Sequence, residues 1–249
     1  MAIITAPAEV AKLRQSGRIA AQALQAVVRA VRPGVSTAEL NTMAESTISK
    51  LGGRPSFKGF AEYPTGLCTS INDEVVHGIP SDNRRLRVGD IIGLDIGVDY
   101  RGFFTDHAVT VAVGQVTPPR QRLLHDTAAA LHLGITAVKA GRRVGDISAA
   151  IESHLRPRGY GIVTQLTGHG LGRAVHEPPI IPNVGQADRG PQLVAGMVLA
   201  IEPMVTLGGS AVETLTDGWT IITSDRQPAA HFEHTVMVTG RGCDILTTA

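Results

Sequence analysis

The chain has 249 residues, 43% apolar and 18% charged, with a net charge of +1 at neutral pH. That length can bury a sizeable core in one large domain or two small ones, with the composition of an ordinary soluble protein. The near-zero charge excludes a polyanion-binding signal, and two cysteines, Cys68 and Cys243, are too few for a disulfide scaffold or a thiolate metal site.

The first residues lack a basic segment followed by an apolar one, so no signal peptide is expected. No apolar run approaches the ~20 residues of a membrane span, and a cytoplasmic location is expected. Residues 8–31 carry Val10, Leu13, Ile19, Leu24, Val27 and Val31 at helical spacing and stop at Arg32-Pro33-Gly34. Ser36 and Glu39 are placed as the capping box of a second helix, which ends at Gly52-Gly53. The β-branched runs 91–97 and 105–113 flank Asp99-Tyr100-Arg101-Gly102, a turn sequence, and predict a hairpin with Asp95 facing Asp106. A third helix runs from about Pro119 to Lys139 and stops at Gly141; a fourth starts near Gly145-Asp146 and ends at Gly159. His125 and His132 lie on one face of the third among Ala and Leu, and read as ordinary helix surface. Strands return at 197–205 and 235–238, with 219–223 between them. Arg84-Arg85 and Arg142-Arg143, beside Gly, Asn and Asp, read as solvated loops.

The second half echoes the first. Residues 86–95, ending in Asp95, match residues 193–202, ending in Glu202, at an offset of 107. The same offset pairs Gly34 with Gly141, Glu39 with Asp146, Leu40 with Ile147, Glu45 with Glu152 and Gly52 with Gly159. One gapless offset joining two helices and a strand is rarely accidental. Residues 106–111, led by Asp106, are echoed by 233–238, led by Glu233. These features predict an α/β fold made of a duplicated unit, two helices and then antiparallel strands, as a single domain over 1–249 with repeats of about 8–114 and 115–240. No linker divides the halves, so they should share one sheet and core.

Each echo sets a carboxylate in an apolar run, where an unpaired charge costs several kcal/mol. Four such carboxylates, two per half, point to something cationic between them. Carboxylate and imidazole without thiolate suit Mn, Fe, Co or Zn. Two divalent ions would balance four charges, acidify a bridging water and stabilise an oxyanion; one ion with a third ligand is the simpler alternative. His169 lies among glycines in Gly168-His169-Gly170-Leu171-Gly172, which is not a dinucleotide fingerprint. His77 and His176 share Val-His-x-x-Pro settings and form a candidate symmetric pair, leaving His169 as a fifth ligand. His107 and His234 each follow a carboxylate on a strand and should point to its opposite face.

With these residues in view, the chain resembles the type I methionine aminopeptidases along nearly its whole length. The matching runs are Ser70-Ile71-Asn72, residues 75–80, Gly168-His169-Gly170, Met197 with Ile201-Glu202-Pro203-Met204, Asp217-Gly218-Trp219-Thr220 and Phe232-Glu233-His234-Thr235. The resemblance implies the pita-bread fold with an internal pseudo-twofold. It implies two divalent metals held by Asp95, Asp106, His169, Glu202 and Glu233, with Asp106 and Glu233 bridging, Asp95 on one ion and His169 and Glu202 on the other. It places His77 near the scissile amide nitrogen and His176 near the carbonyl oxygen, with Glu202 as base for the attacking water. Tyr63, Cys68 and Trp219 would line a methionine pocket, with Phe60 standing where the family usually has Tyr. Ala61-Glu62 replaces the usual His-Gly or Gly-Gly, and Val175 stands where Phe or Met is common, which should leave a gap that admits leucine. The implied function is hydrolytic removal of the initiator methionine from nascent polypeptides by a monomer of the minimal bacterial type, with a transient ribosome contact. Neither an N-terminal zinc-finger region nor the helical insert of the type II enzymes is present. The rivals are an Xaa-Pro peptidase of the same fold, whose long N-terminal domain is absent here, a binding module that has lost its ligands, and an α/β domain with surface carboxylates.

Overall fold

The computed structural model describes residues 2–248. Helix α1 spans Pro7–Ala30 and α2 spans Thr37–Lys50. The Ser36 capping box forms as the sequence predicts: Ser36 Oγ accepts from Glu39 N–H at 3.1 Å, and Glu39 Oε2 accepts from Ser36 N–H at 2.7 Å. Helix α3 spans Pro118–Thr136 and ends three residues earlier than expected, because the chain turns away there to reach the C-terminal strands: Ala140 N–H donates to Thr239 O and Gly141 N–H to Leu193 O. Helix α4 spans Val144–Leu155 and tightens into a 3₁₀ turn, Arg156–Arg158, before the left-handed Gly159.

The hairpin strands are longer than the apolar runs alone indicated, Ile91–Tyr100 and Phe103–Ala112. Arg101 (φ 55°) and Gly102 (φ 82°) make a two-residue turn with both central residues left-handed, and the Asp99 carboxylate accepts from Gly102 N–H. The register corrects one expectation: Asp95 lies opposite Ala108 and Asp106 opposite Gly97. The two acids are diagonal neighbours on one face, not directly opposed.

Strands from both halves join one nine-stranded sheet. At its centre Phe103–Ala112 pairs antiparallel with Glu233–Val238, and His107 lies opposite His234. The other hairpin strand, Ile91–Tyr100, lies on one side of that pair and Val198–Ile201, Gly168–Gly170 and Glu177–Ile181 follow on the other. Two small sheets flank it, one joining Met204–Thr206 to Ala229–His231 and Gly161–Ile162, the other joining Glu74–Val76, Val212–Thr214 and Ile221–Thr223.

Period-2 alternation decides which side each residue serves. Ile92, Leu94, Ile96 and Val98 pack with α1 and α2 residues Ile19, Leu24, Leu40 and Ile48, all buried. Leu199, Ile201, Val236 and Val238 pack with α3 and α4 residues Leu131, Ile135, Ile147 and Ile151. Asp95, Asp106 and Glu233 therefore point away from the helices, and His107 and His234 turn towards them.

Candidate metal centre

A cavity of about 740 Å³ opens on the helix-free side of the sheet. It is lined by Asp95, Asp106, His169, Glu202 and Glu233, by His77 and His176, and by Phe60, Tyr63, Cys68 and Trp219. The structure thus gathers on one cavity the five candidate ligands, both candidate substrate histidines and the four aromatic and cysteine pocket residues. Asp106, His169 and Glu233 each offer a ligand atom within 4.8 Å of the others. At that spacing two carboxylates repel by roughly 3–4 kcal/mol at an effective dielectric of about 20, a penalty that an intervening cation reverses.

The electrostatics point the same way. Burial pushes Asp95 up to about 6; His231 opposes the rise and the Glu202 charge adds to it. Burial, then the neighbouring carboxylates, hold Asp106 and Glu233 well above the usual range. Asp95 Oδ1 and Glu233 Oε1 are buried and accept no hydrogen bond from the described residues, whereas buried polar atoms as a rule find a partner. Oxygen atoms of this kind fit a divalent ion.

His169 is set up as a ligand. Its Nδ1 lies 2.9 Å from Gly170 O, and a carbonyl can only accept, so Nδ1 carries the proton and Nε2 keeps its lone pair. That Nε2 lies 3.5 Å from Glu202 Oε1. Glu202 follows the Val198–Ile201 strand at the point where Pro203 interrupts pairing before Met204–Thr206. Burial disfavours its charge, but the close contact and charge of His231, with His169 and His77 behind them, hold it below the ordinary glutamate value.

His77 takes a left-handed backbone (φ 61°), which costs about 1–3 kcal/mol and has to be held by its surroundings. The clamp is visible: Thr69 N–H and the Tyr63 hydroxyl both donate to Gly78 O, at 2.8 and 3.0 Å. A Cβ on Gly78 would meet Thr69 O at 2.2 Å. Burial lowers His77, and burial with the neighbouring His169 lowers His176 to about 4, so both imidazoles are neutral near pH 7 and can either donate or accept. His176 packs edge-on against His169 and Phe60, with ring centres 4.3 and 5.3 Å away. Trp219 stands edge-on to Tyr63 at 5.1 Å and to His77 at 6.1 Å. Its loop is fixed by Asp217, which accepts from Trp219 N–H and Thr220 N–H.

The sequence matches Metallopeptidase family M24 over residues 11–240. The chain belongs to metallopeptidase family M24. Membership implies a divalent metal, and the acidic cluster is where this M24 chain could hold one. Within the family it groups with the methionine aminopeptidases: it is 43% identical over 247 residues to the methionine aminopeptidase of Clostridium acetobutylicum, covering 99% of each chain. The crystal structure of the Thermotoga maritima methionine aminopeptidase superposes with a TM-score of 0.98 at 38% identity, covering all of both chains. A prolidase from Pyrococcus furiosus shares the fold alone, with a TM-score of 0.79 at 23% identity over 99% of this chain and 66% of its own. The architecture is thus the pita-bread α/β fold expected from the sequence.

Two readings of individual residues change. Val175 is buried but does not line the cavity of this M24 chain, so the gap expected beside the methionine pocket is not where Val175 lies. His231 was overlooked: it is buried on the cavity wall, with Nε2 3.2 Å from Glu202 Oε2. Its position two residues before Glu233, on the same alternating face, was the available signal. His125 behaves as expected, largely exposed and paired with Asp126 away from the cavity.

Proposed function

We propose that the chain cleaves the first peptide bond of polypeptides that begin with methionine, using two divalent ions that Asp95, Asp106, His169, Glu202 and Glu233 would hold. The observation that carries this reading is the convergence of five buried or half-buried ligand-type side chains on one cavity whose other walls include Tyr63, Cys68 and Trp219. When bound, the ions supply Lewis acidity, which makes water a nucleophile near neutral pH and polarises a carbonyl. Glu202, held as the anion by its neighbours, accepts the proton of the attacking water. Neutral His176 donates to the carbonyl oxygen as charge develops there, and His77 contacts the amide nitrogen. The apolar thioether of methionine packs against the edges and faces of Tyr63 and Trp219, with Cys68 at the floor and Phe60 at the mouth. The side chains fit Mn, Fe, Co or Zn. In this reading the chain is a single domain over 1–249 with two pseudo-repeats, a cytoplasmic monomer that meets nascent chains through a transient ribosome contact.

The deciding experiment is elemental analysis of anaerobically purified protein combined with cleavage of Met-Ala-Ser, activity being restored metal by metal. Two equivalents of metal and release of free methionine are expected. Cleavage of Xaa-Pro peptides but not of Met-Ala-Ser would overturn the substrate assignment.

A further inference from the structure

Glu202 has two carboxylate oxygens with separate surroundings. Oε1 lies 3.5 Å from His169 Nε2, and Oε2 lies 3.2 Å from His231 Nε2. The second is the closer contact, and His231 Nε2 is buried with no hydrogen bond of good geometry to any other described group. His231 is 3% exposed, and its own backbone is pinned from two directions. The Thr110 hydroxyl accepts from His231 N–H at 2.9 Å and donates to His231 O at 2.8 Å, and His231 pairs in register with Met204, two residues past Glu202. Thr110 lies on the Asp106 strand, on the same alternating face as Asp106. A rigid path therefore runs from that strand through Thr110 to the His231 ring and on to Glu202.

We propose that His231 is a positioning residue: its buried Nε2, 3.2 Å from Glu202 Oε2 and otherwise unpartnered, takes that oxygen as its partner and so aims Oε1 at the metal centre beside His169. The role asks for a buried donor facing Oε2, one that an amide could also supply. It rests on the reading of Glu202 as a metal ligand and base. Groups that orient a ligating carboxylate typically govern metal affinity and turnover by roughly 10–100-fold.

The test compares His231→Ala, His231→Leu and His231→Gln with the parent chain and with Glu202→Ala. Binding is followed by electron paramagnetic resonance titration with Mn²⁺ alone, and turnover on Met-Ala-Ser, with thermal melting as the check on folding. The equivalent of Mn²⁺ lost in Glu202→Ala is the one to follow. In His231→Ala and His231→Leu its dissociation constant is expected to rise roughly 10–100-fold and kcat to fall by a similar factor, with KM within about threefold. His231→Gln, which restores a donor without an imidazole, should recover most of both losses. His231→Leu keeps the cavity wall filled if the alanine variant does not fold. Unchanged Mn²⁺ affinity in His231→Leu overturns the proposal, and so does a glutamine variant as impaired as the leucine one. A change confined to preference for the second substrate residue would make His231 a substrate contact instead and also overturn it. If the parent chain binds Mn²⁺ but does not cleave Met-Ala-Ser, the peptidase reading fails while the Mn²⁺ series still decides the positioning role.

Discussion

His77 and His176 sit beside the acidic cluster yet touch aromatic rings, Trp219 for one and Phe60 for the other. If they handle substrate and not metal, alanine at either position should leave metal content near normal while kcat falls by about ten- to a thousandfold. Elemental analysis alongside steady-state kinetics checks this, and a metal-free His176→Ala protein would make His176 a ligand. Glu233 makes the opposite case. Its Oε1 is buried without a hydrogen-bond partner among the described residues, and its carboxylate lies beside Asp106 and His169. Glu233→Ala should bind less than one full equivalent of metal tightly and lose nearly all activity; two tight equivalents would refute the shared-ligand assignment. Val175 is buried outside the cavity lining. Val175→Phe is therefore expected to overpack the interior, costing about 1–3 kcal/mol in urea unfolding, and to leave the Met-Ala-Ser to Leu-Ala-Ser ratio of kcat/KM little changed.

At the level of elements, α1 is held against the C-terminal segment by the smallness of Gly17. A Cβ there would meet Leu246 O at 2.2 Å. Alanine favours a helix interior over glycine by about 1 kcal/mol, but a backbone clash of this size displaces the helix or the segment. Gly17→Ala should thus destabilise the protein, and a rise in urea midpoint would contradict this packing. The central strand pair carries a second prediction. His107 and His234 stack at 4.5 Å, and His107 Nδ1 donates to Glu233 O at 2.6 Å. Burial, with His234 adding, lowers His107 from 6.5 to about 3. As pH falls below 6.5 the unfolded chain takes up a proton that the folded chain refuses, so this stability is full above pH 6.5 and lost towards pH 3. His107→Phe should flatten the rise of unfolding free energy between those limits, measured by urea titration at several pH values on metal-stripped samples.

Across the whole molecule, the two halves meet where their acids meet. Two sets of carboxylates brought onto one face repel until a cation balances them, so metal should bind the folded chain far better than the unfolded one. Stripping with a chelator should lower the melting temperature as well as activity, and re-adding Mn²⁺ should restore both. An unchanged melting temperature would mean that the acids are not the metal site.

The sequence alone determined the helices, the capping box, the duplication and the identity of the acids, because each depends on local spacing: periods of 3.6 and 2, and an offset of 107. It also placed His107 and His234 on the face opposite the acids, since alternation along a strand needs no tertiary information. Strand ends and pairing were different. Tyr100 and Phe103 extend the hairpin because the left-handed turn at Arg101-Gly102 fixes the register, and that register sets Asp95 diagonal to Asp106. His231 became visible only once Thr110, Met204 and Glu202 were brought around it from three separate segments. Val175 left the pocket for the converse reason: neighbouring His176 in sequence does not decide which way its side chain is buried. A local pattern names the residues that can do chemistry, whereas the packing of distant segments decides which of them share a wall.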